Sequence, residues 1–115
     1  MGANMKRAFL DVKRQAHSYR PIEERIRDFN EVEVPPAPDV LKIQAERCMD
    51  CGIPFCHGCG CPLENQIPEI NAAVAAGRLA DAWDLLASTS NFPEFTSRVC
   101  PALCEASCTA GQHLD

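Results

Sequence analysis

Eight cysteines fall into two bursts, Cys48-Met-Asp-Cys51-Gly-Ile-Pro-Phe-Cys56-His-Gly-Cys59-Gly-Cys61-Pro62 and Cys100-Pro-Ala-Leu-Cys104-Glu-Ala-Ser-Cys108, and the remaining chain contains none. A deprotonated thiol is a soft, anionic ligand. Thiols two to four residues apart, twice followed by proline, suit a metal or an iron–sulfur cluster better than a hydrophobic core.

Cubane clusters are held by a tight cysteine triplet with a remote fourth partner. In the bacterial run of this type the cysteine before proline serves the neighbouring cluster. Cys61-Pro62 has that form, which puts Cys48, Cys51 and Cys56 on one cluster and Cys61 on another. Cys100, Cys104 and Cys108 recur every four residues, so one helix through them would align all three along a face. At 1.5 Å per residue the outer two would lie about 12 Å apart, a long reach for one cluster. Cys100 and Cys104 can then share a cluster while Cys108 turns to the other. Pro101 would open that helix, and the free N–H groups of its first turn would favour an anionic group nearby.

Zinc is the rival reading. Cys48-x2-Cys51 and Cys56-x2-Cys59 make two Cys-x-x-Cys pairs, but only four residues separate them, against about 15–20 in a zinc ribbon. Of His17, His57 and His113, only His57 lies within a burst. It reads as a loop histidine able to hydrogen-bond a cluster sulfur rather than as an iron ligand.

The elements that must position these thiols read as helices and turns. Residues 1–20 form a polar lead-in with Phe9, Leu10 and Val12 as a short apolar segment. Pro21 can open a helix bearing Ile22, Ile26 and Phe29. Glu31 to Pro38 contains three prolines and must be extended. Asp39 is the expected N-cap of a helix through Val40, Leu41, Ile43 and Ala45 that leads into Cys48. Between the bursts a helical hairpin is expected. Pro68 opens the first helix with Ile70 and Val74 on one face, Gly77 stops it, and Leu79, Trp83 and Leu86 continue on the second. Trp83 reads as a core residue. No strand alternation is convincing, so the fold class is all-α with irregular cysteine loops.

Length and charge narrow the function. A chain of 115 residues is one small domain, and with aromatics at 6% its core is limited, so bound cofactors would act as internal staples. The formal charge of −5 and the lack of a Lys/Arg stripe argue against nucleic acid. The opening Met1-Gly2-Ala3-Asn4-Met5-Lys6 has no apolar run for a signal peptide or membrane span, and Lys6 stands where a myristoylation motif needs Ser or Thr. The expectation is a cytoplasmic protein, whose reducing surroundings disfavour a disulfide framework.

Three stretches together carry a resemblance: Cys48-Met-Asp-Cys-Gly-Ile-Pro-Phe-Cys56-His57, Cys61-Pro-Leu-Glu-Asn-Gln-Ile-Pro-Glu69, and Asn91-Phe-Pro-Glu-Phe-Thr-Ser-Arg-Val-Cys-Pro-Ala-Leu-Cys-Glu-Ala-Ser-Cys108. The chain closely resembles the small (beta) subunits of NADPH-dependent glutamate synthases, over their N-terminal iron–sulfur domain. That domain is shared with dihydropyrimidine dehydrogenase. Phe9-Leu-Asp-Val-Lys-Arg14 and Ile26-Arg-Asp-Phe29 also resemble the family's opening.

The resemblance implies an alpha-helical ferredoxin-like domain with two [4Fe-4S] clusters. Cys48, Cys51, Cys56 and Cys108 would hold one; Cys61, Cys100 and Cys104 would supply three ligands of the second. In this family the fourth ligand of that second cluster can be a non-cysteine side chain further along, past Asp115. Many relatives have three residues between the positions of Cys56 and Cys61 where this sequence has four, and Cys59 reads as a bystander thiol. The domain organisation expected is an N-terminal extension with a Pro-rich linker over 1–38 and the double-cluster domain over 39–115. The FAD and NADPH domains that follow in the family are absent, and no Gly-x-Gly-x-x-Gly loop is present.

What the resemblance implies for function is electron relay between NADPH and FAD on one side and the FMN site of a large (alpha) subunit on the other. Glutamate is made there from 2-oxoglutarate and glutamine. No acid–base or nucleophile pair stands out, so no catalytic side chain is assigned; Glu64, Glu69, Glu94 and Glu105 read as solvated or capping carboxylates. The alternatives are a non-redox zinc-binding or metal-free interaction domain, and the cluster domain of another flavin-dependent reductase such as a dihydropyrimidine dehydrogenase.

Overall fold

The computed structural model describes residues 7–114. The Met1–Lys6 opening and Asp115 lie outside the described residues. Short helices dominate, and the only pairing of strands among the described residues is a two-residue ladder. The all-α expectation holds.

Helix α1 (Ala8–Asp11) buries Ala8. Strand β1 (Ser18–Tyr19) pairs antiparallel with β2 (Glu33–Val34), Ser18 opposite Val34 and Tyr19 opposite Glu33. The Arg20 N–H extends this ladder to the Val32 carbonyl at 2.9 Å. The sequence showed no strand because both partners are two residues long, too short for a period to register. Helix α2 (Ile22–Arg25) starts after Pro21 and stops at one turn, so Ile26 and Phe29 stand in solvent. The loop is tied instead by polar groups. Arg20 donates two hydrogen bonds to the Asp28 carboxylate (3.0 and 2.8 Å), and the Asn30 N–H donates to the same group.

Helix α3 (Pro38–Ala45) begins two residues earlier than expected. Proline occupies its first position, where no N–H is needed, and Ala37 is the cap residue. Asp39 is therefore not the cap. It lies in the first turn, where its charge still favours the helix dipole.

The helical hairpin forms as read. Helix α4 (Ile67–Ala75) has Pro68 in its first turn, and α5 (Leu79–Ala87) packs back on it. Gly77 takes φ +76°, its N–H donating to Val74 and the Arg78 N–H to Ala73. That is the paired-bond stop which favours glycine. The two helices turn Ala73 and Ala82 inward. Small residues let the backbones approach closely, and Trp83 is left 55% exposed rather than in a core.

Helix α6 (Pro93–Val99) and helix α7 (Leu103–Ser107) complete the fold, followed by a 3-10 turn at Ala110–Gln112. Among the described residues no helix is long and apolar enough to cross a membrane. The interior is unusual in what it lacks. Among the described residues the buried apolar ones are Ala8, Ala45, Ala73, Ala82 and Pro68, and no large side chain is fully buried. The radius of gyration, 15.1 Å, exceeds the ~13 Å of a compact chain of this length.

Candidate iron–sulfur site

A cavity of about 770 Å³ is lined by residues from both ends of the described chain. Cys48, Cys51, Cys56, Cys104 and Cys108 all line it.

Each is delivered by a local device. The Cys48 N–H donates to the Ala45 carbonyl, so Cys48 follows directly from the last turn of α3. Asp50, with φ 51°, reverses the chain between Cys48 and Cys51. Cys56–Gly60 forms a π turn, in which the Cys61 N–H reaches the Cys56 carbonyl at 2.9 Å. That turn packs against α7, which carries Cys104 and ends at Cys108. The approach is close because Gly60 is buried there. A Cβ at Gly60 would strike Ser107 Oγ and sit 3.0 Å from Cys104 Cα.

The second burst is not one helix. Cys100 ends α6 in an extended conformation (ψ 124°), Ala102 is left-handed (φ 54°), and α7 starts at Leu103. Pro101 explains the break: it disfavours helical backbone at Cys100. Pro101 does not open α7, contrary to the sequence expectation. The break gives Cys100 a backbone partner, since the Ala102 N–H donates to Cys100 Sγ at 3.3 Å.

Electrostatic contacts divide the thiols. Burial raises the Cys56 pKa above the ordinary thiol value, while the hydrogen bond from the His57 backbone lowers it. Charges at Cys48, Cys108 and Cys104 raise it further. Burial likewise raises Cys104, opposed by the Glu105 backbone hydrogen bond and reinforced by Cys100, Glu105 and Cys61. Cys56 thus keeps company with Cys48 and Cys108, Cys104 with Cys61 and Cys100, and the two groups meet at Cys104. Cys61 and Cys100 do not line the cavity. Cys59 is exposed and figures in neither set.

Such crowding suits a polynuclear cluster. Clustered thiols resist ionisation until a cationic partner takes up their charge. Among the described residues no group of three or more His, Cys, Asp or Glu is placed to hold a metal ion. A cubane takes one thiolate per iron at separate corners, and thiols of both bursts beside one cavity are the donor type it uses.

His57 is held by its Nδ1, 3.0 Å from the Asn65 carbonyl, and the Asn65 side chain accepts from Thr89 Oγ1 at 2.5 Å. The π turn is thereby fastened to the end of α5. Sequence reasoning missed this link, and also Arg14, Gln44 and Arg47, which line the cavity beside the cysteines. Gln44 precedes Cys48 by four residues, a spacing that marks a shared helix face; nothing in the spacing pointed to Arg14.

Residues 25–114 match the family described as dihydropyrimidine dehydrogenase domain II, 4Fe-4S cluster. The chain belongs to this family. It is an iron–sulfur domain of the electron-transfer class. Among curated relatives, the glutamate synthase [NADPH] small chain of Mycobacterium tuberculosis is 53% identical over 96 residues, covering 84% of this chain and 20% of the relative. The corresponding small chain of Bacillus subtilis is 45% identical over 109 residues (88% and 22%). The glutamate synthase [NADH] of Saccharomyces cerevisiae is 45% identical over 106 residues (91% and 5%). The chain therefore spans about a fifth of the length of the small chains it matches.

Proposed function

We propose that this chain is the electron-relay domain of a glutamate synthase small chain. In this reading Cys48, Cys51, Cys56 and Cys108 hold one [4Fe-4S] cluster, and Cys61, Cys100 and Cys104 supply three ligands of a second. The observation that carries it is the cavity itself: four of these thiols share its lining with Cys104, and Cys104 is flanked electrostatically by Cys61 and Cys100.

When bound, each cluster stores and passes one electron. The protein's part is to hold thiolates, exclude water and tune potential through hydrogen bonds to sulfur. The Ala102 N–H on Cys100 does the last of these, because a donor on a ligand sulfur favours the reduced, more negative state. Cys104, lining the first cavity while belonging to the second group, keeps the two groups adjacent, and short separation is what one-electron relay requires.

The identities to glutamate synthase small chains support the larger assignment. The whole enzyme would take electrons from NADPH through FAD to the FMN of a large subunit, where glutamine and 2-oxoglutarate yield glutamate. Residues 1–38 are assigned as an extension and 39–115 as the cluster domain. A cytoplasmic setting fits thiols kept as ligands rather than disulfides.

Iron and sulfide analysis of anaerobically prepared protein tests the ligand set. Cys48→Ala should lose one cluster's iron and retain the other's. Unchanged iron in that variant removes Cys48 from the set, and wild-type protein with zinc and no sulfide overturns the relay reading.

A further inference from the structure

Arg14, Gln15, Ala16, His17 and Ser18 line the same cavity as the five cysteines, and each of these residues is also exposed to solvent. This one stretch of chain thus borders both the thiols' cavity and water.

Two side chains hold that layer. The Gln44 amide grips its backbone at both ends: Nε2 donates to the Lys13 carbonyl at 3.1 Å, and Oε1 accepts from the Gln15 N–H at 3.0 Å. Both prongs engage, which fixes the amide's orientation. Gln44 lies on α3, one turn before Cys48. Arg14 projects from between those two anchor points and pairs with Glu105 Oε2 at 2.8 Å. Glu105 sits on α7 between Cys104 and Cys108. The segment is therefore tied to the two elements that present cysteines from opposite bursts.

We propose that Gln44 and Arg14 are positioning residues that latch residues 13–18 over the first thiol group, shielding the cluster held there from solvent and dissolved oxygen. The inference rests on the ligand reading of Cys48, Cys51, Cys56 and Cys108. The shield is local: its opening breaks a few exposed contacts and leaves α3–α5 intact, the kind of low-cost opening that governs access to a buried group.

The test uses the full chain loaded with iron and sulfide without oxygen, then exposed to air while the cluster's visible absorbance is followed. Gln44→Ala should load the same iron and bleach about fivefold faster, the factor equivalent to ~1 kcal/mol, one net hydrogen bond. Amide exchange at Gln15 should accelerate in parallel. Arg14→Glu should also bleach faster by repelling Glu105, and Arg14→Glu/Glu105→Arg should return to the wild-type rate. Rescue on exchanging the two charges assigns the effect to the pair itself rather than to the loss of either side chain. Wild-type bleaching in either iron-loaded single variant overturns the proposal. So does failure of both to load iron, since the segment would then be part of the ligand scaffold and not a cover. Wild-type protein that takes up no iron overturns the ligand reading instead.

Discussion

The Cys61 N–H donates to the Cys56 carbonyl at 2.9 Å, closing a turn one residue wider than an α-helical one. Such wide turns are rare and are often found at functional sites. The exposed Cys59 lies within the wide turn, while Cys56 and Cys61 stay partly buried. Cys59→Ser should therefore leave iron and sulfide content unchanged, whereas Cys61→Ser should lower both. Side-by-side metal analysis of the two anaerobic preparations decides it.

Gly60 is where the π turn meets α7. Adding a methyl group there forces Ser107 Oγ aside and presses on Cys104 Cα and the Leu103 carbonyl, at 3.0 and 3.2 Å. Backbone cannot yield as a flexible side chain can. Gly60→Ala is expected to destabilise the iron-loaded protein by roughly 1–3 kcal/mol, the usual range for overpacking. Thermal melts of loaded protein measure it; an unchanged midpoint would show that the two elements are not in firm contact.

Ala102 offers the opposite sign. Its left-handed backbone (φ 54°) costs a non-glycine residue about 1–2 kcal/mol. Ala102→Gly removes that strain, keeps the N–H that reaches Cys100 Sγ, and should raise stability by up to about 1 kcal/mol after the entropy of the glycine is counted. Thermal melts of the iron-loaded variant beside wild type check the sign; a lowered midpoint would contradict it.

The Asp28 carboxyl is held well below the usual carboxylate range, first by its hydrogen bonds from Arg20 and then by the Asn30 N–H. Glu31 is lowered in the same way by Arg98. A depressed carboxylate stabilises the fold above its unfolded pKa, and that contribution is lost as pH falls through the folded value. The difference in melting midpoint between wild type and Asp28→Asn should be full at about pH 6 and shrink below about pH 4, where unfolded aspartate protonates. A difference that grows on acidification contradicts the assignment.

Iron removal should unfold much of the chain. With four alanines and Pro68 as the buried apolar residues and no large side chain fully inside among the described residues, little hydrophobic burial remains once the thiols lose their common partner. Far-UV circular dichroism before and after anaerobic chelation should show a large loss of helix. Retention of the full signal would mean that the α4–α5 hairpin and its neighbours fold without metal.

Much of this was legible in residue order. Pro68, Gly77 and the Leu79 repeat locate the hairpin because each acts through local backbone geometry. The cysteine before proline is what suggests setting Cys61 apart from Cys48, Cys51 and Cys56, and of these four Cys61 alone does not line the cavity. Other features depend on what neighbours do. Asp39 loses the cap to Ala37, because Pro38 is suited to the first helical position. Trp83 faces outward because α4 and α5 meet through alanines, leaving no space for an indole. The even spacing of Cys100, Cys104 and Cys108 suggested one rod, but Pro101 interrupts it, and local conformation outranks periodicity. The roles of Gln44, Arg14 and Asn65 come from contacts across 8 to 91 positions of chain, which no window of sequence contains.

Arg14–Glu105 and Arg98–Glu31, the two ion pairs that fasten the first third of the chain to the last, are each about half exposed. Pairs of that kind are weak and fade as mobile ions crowd around them. The attachment of the leading segment is thus adjustable by the ionic medium, while the thiol loops, held by backbone hydrogen bonds such as that from the Cys61 N–H to the Cys56 carbonyl, are not.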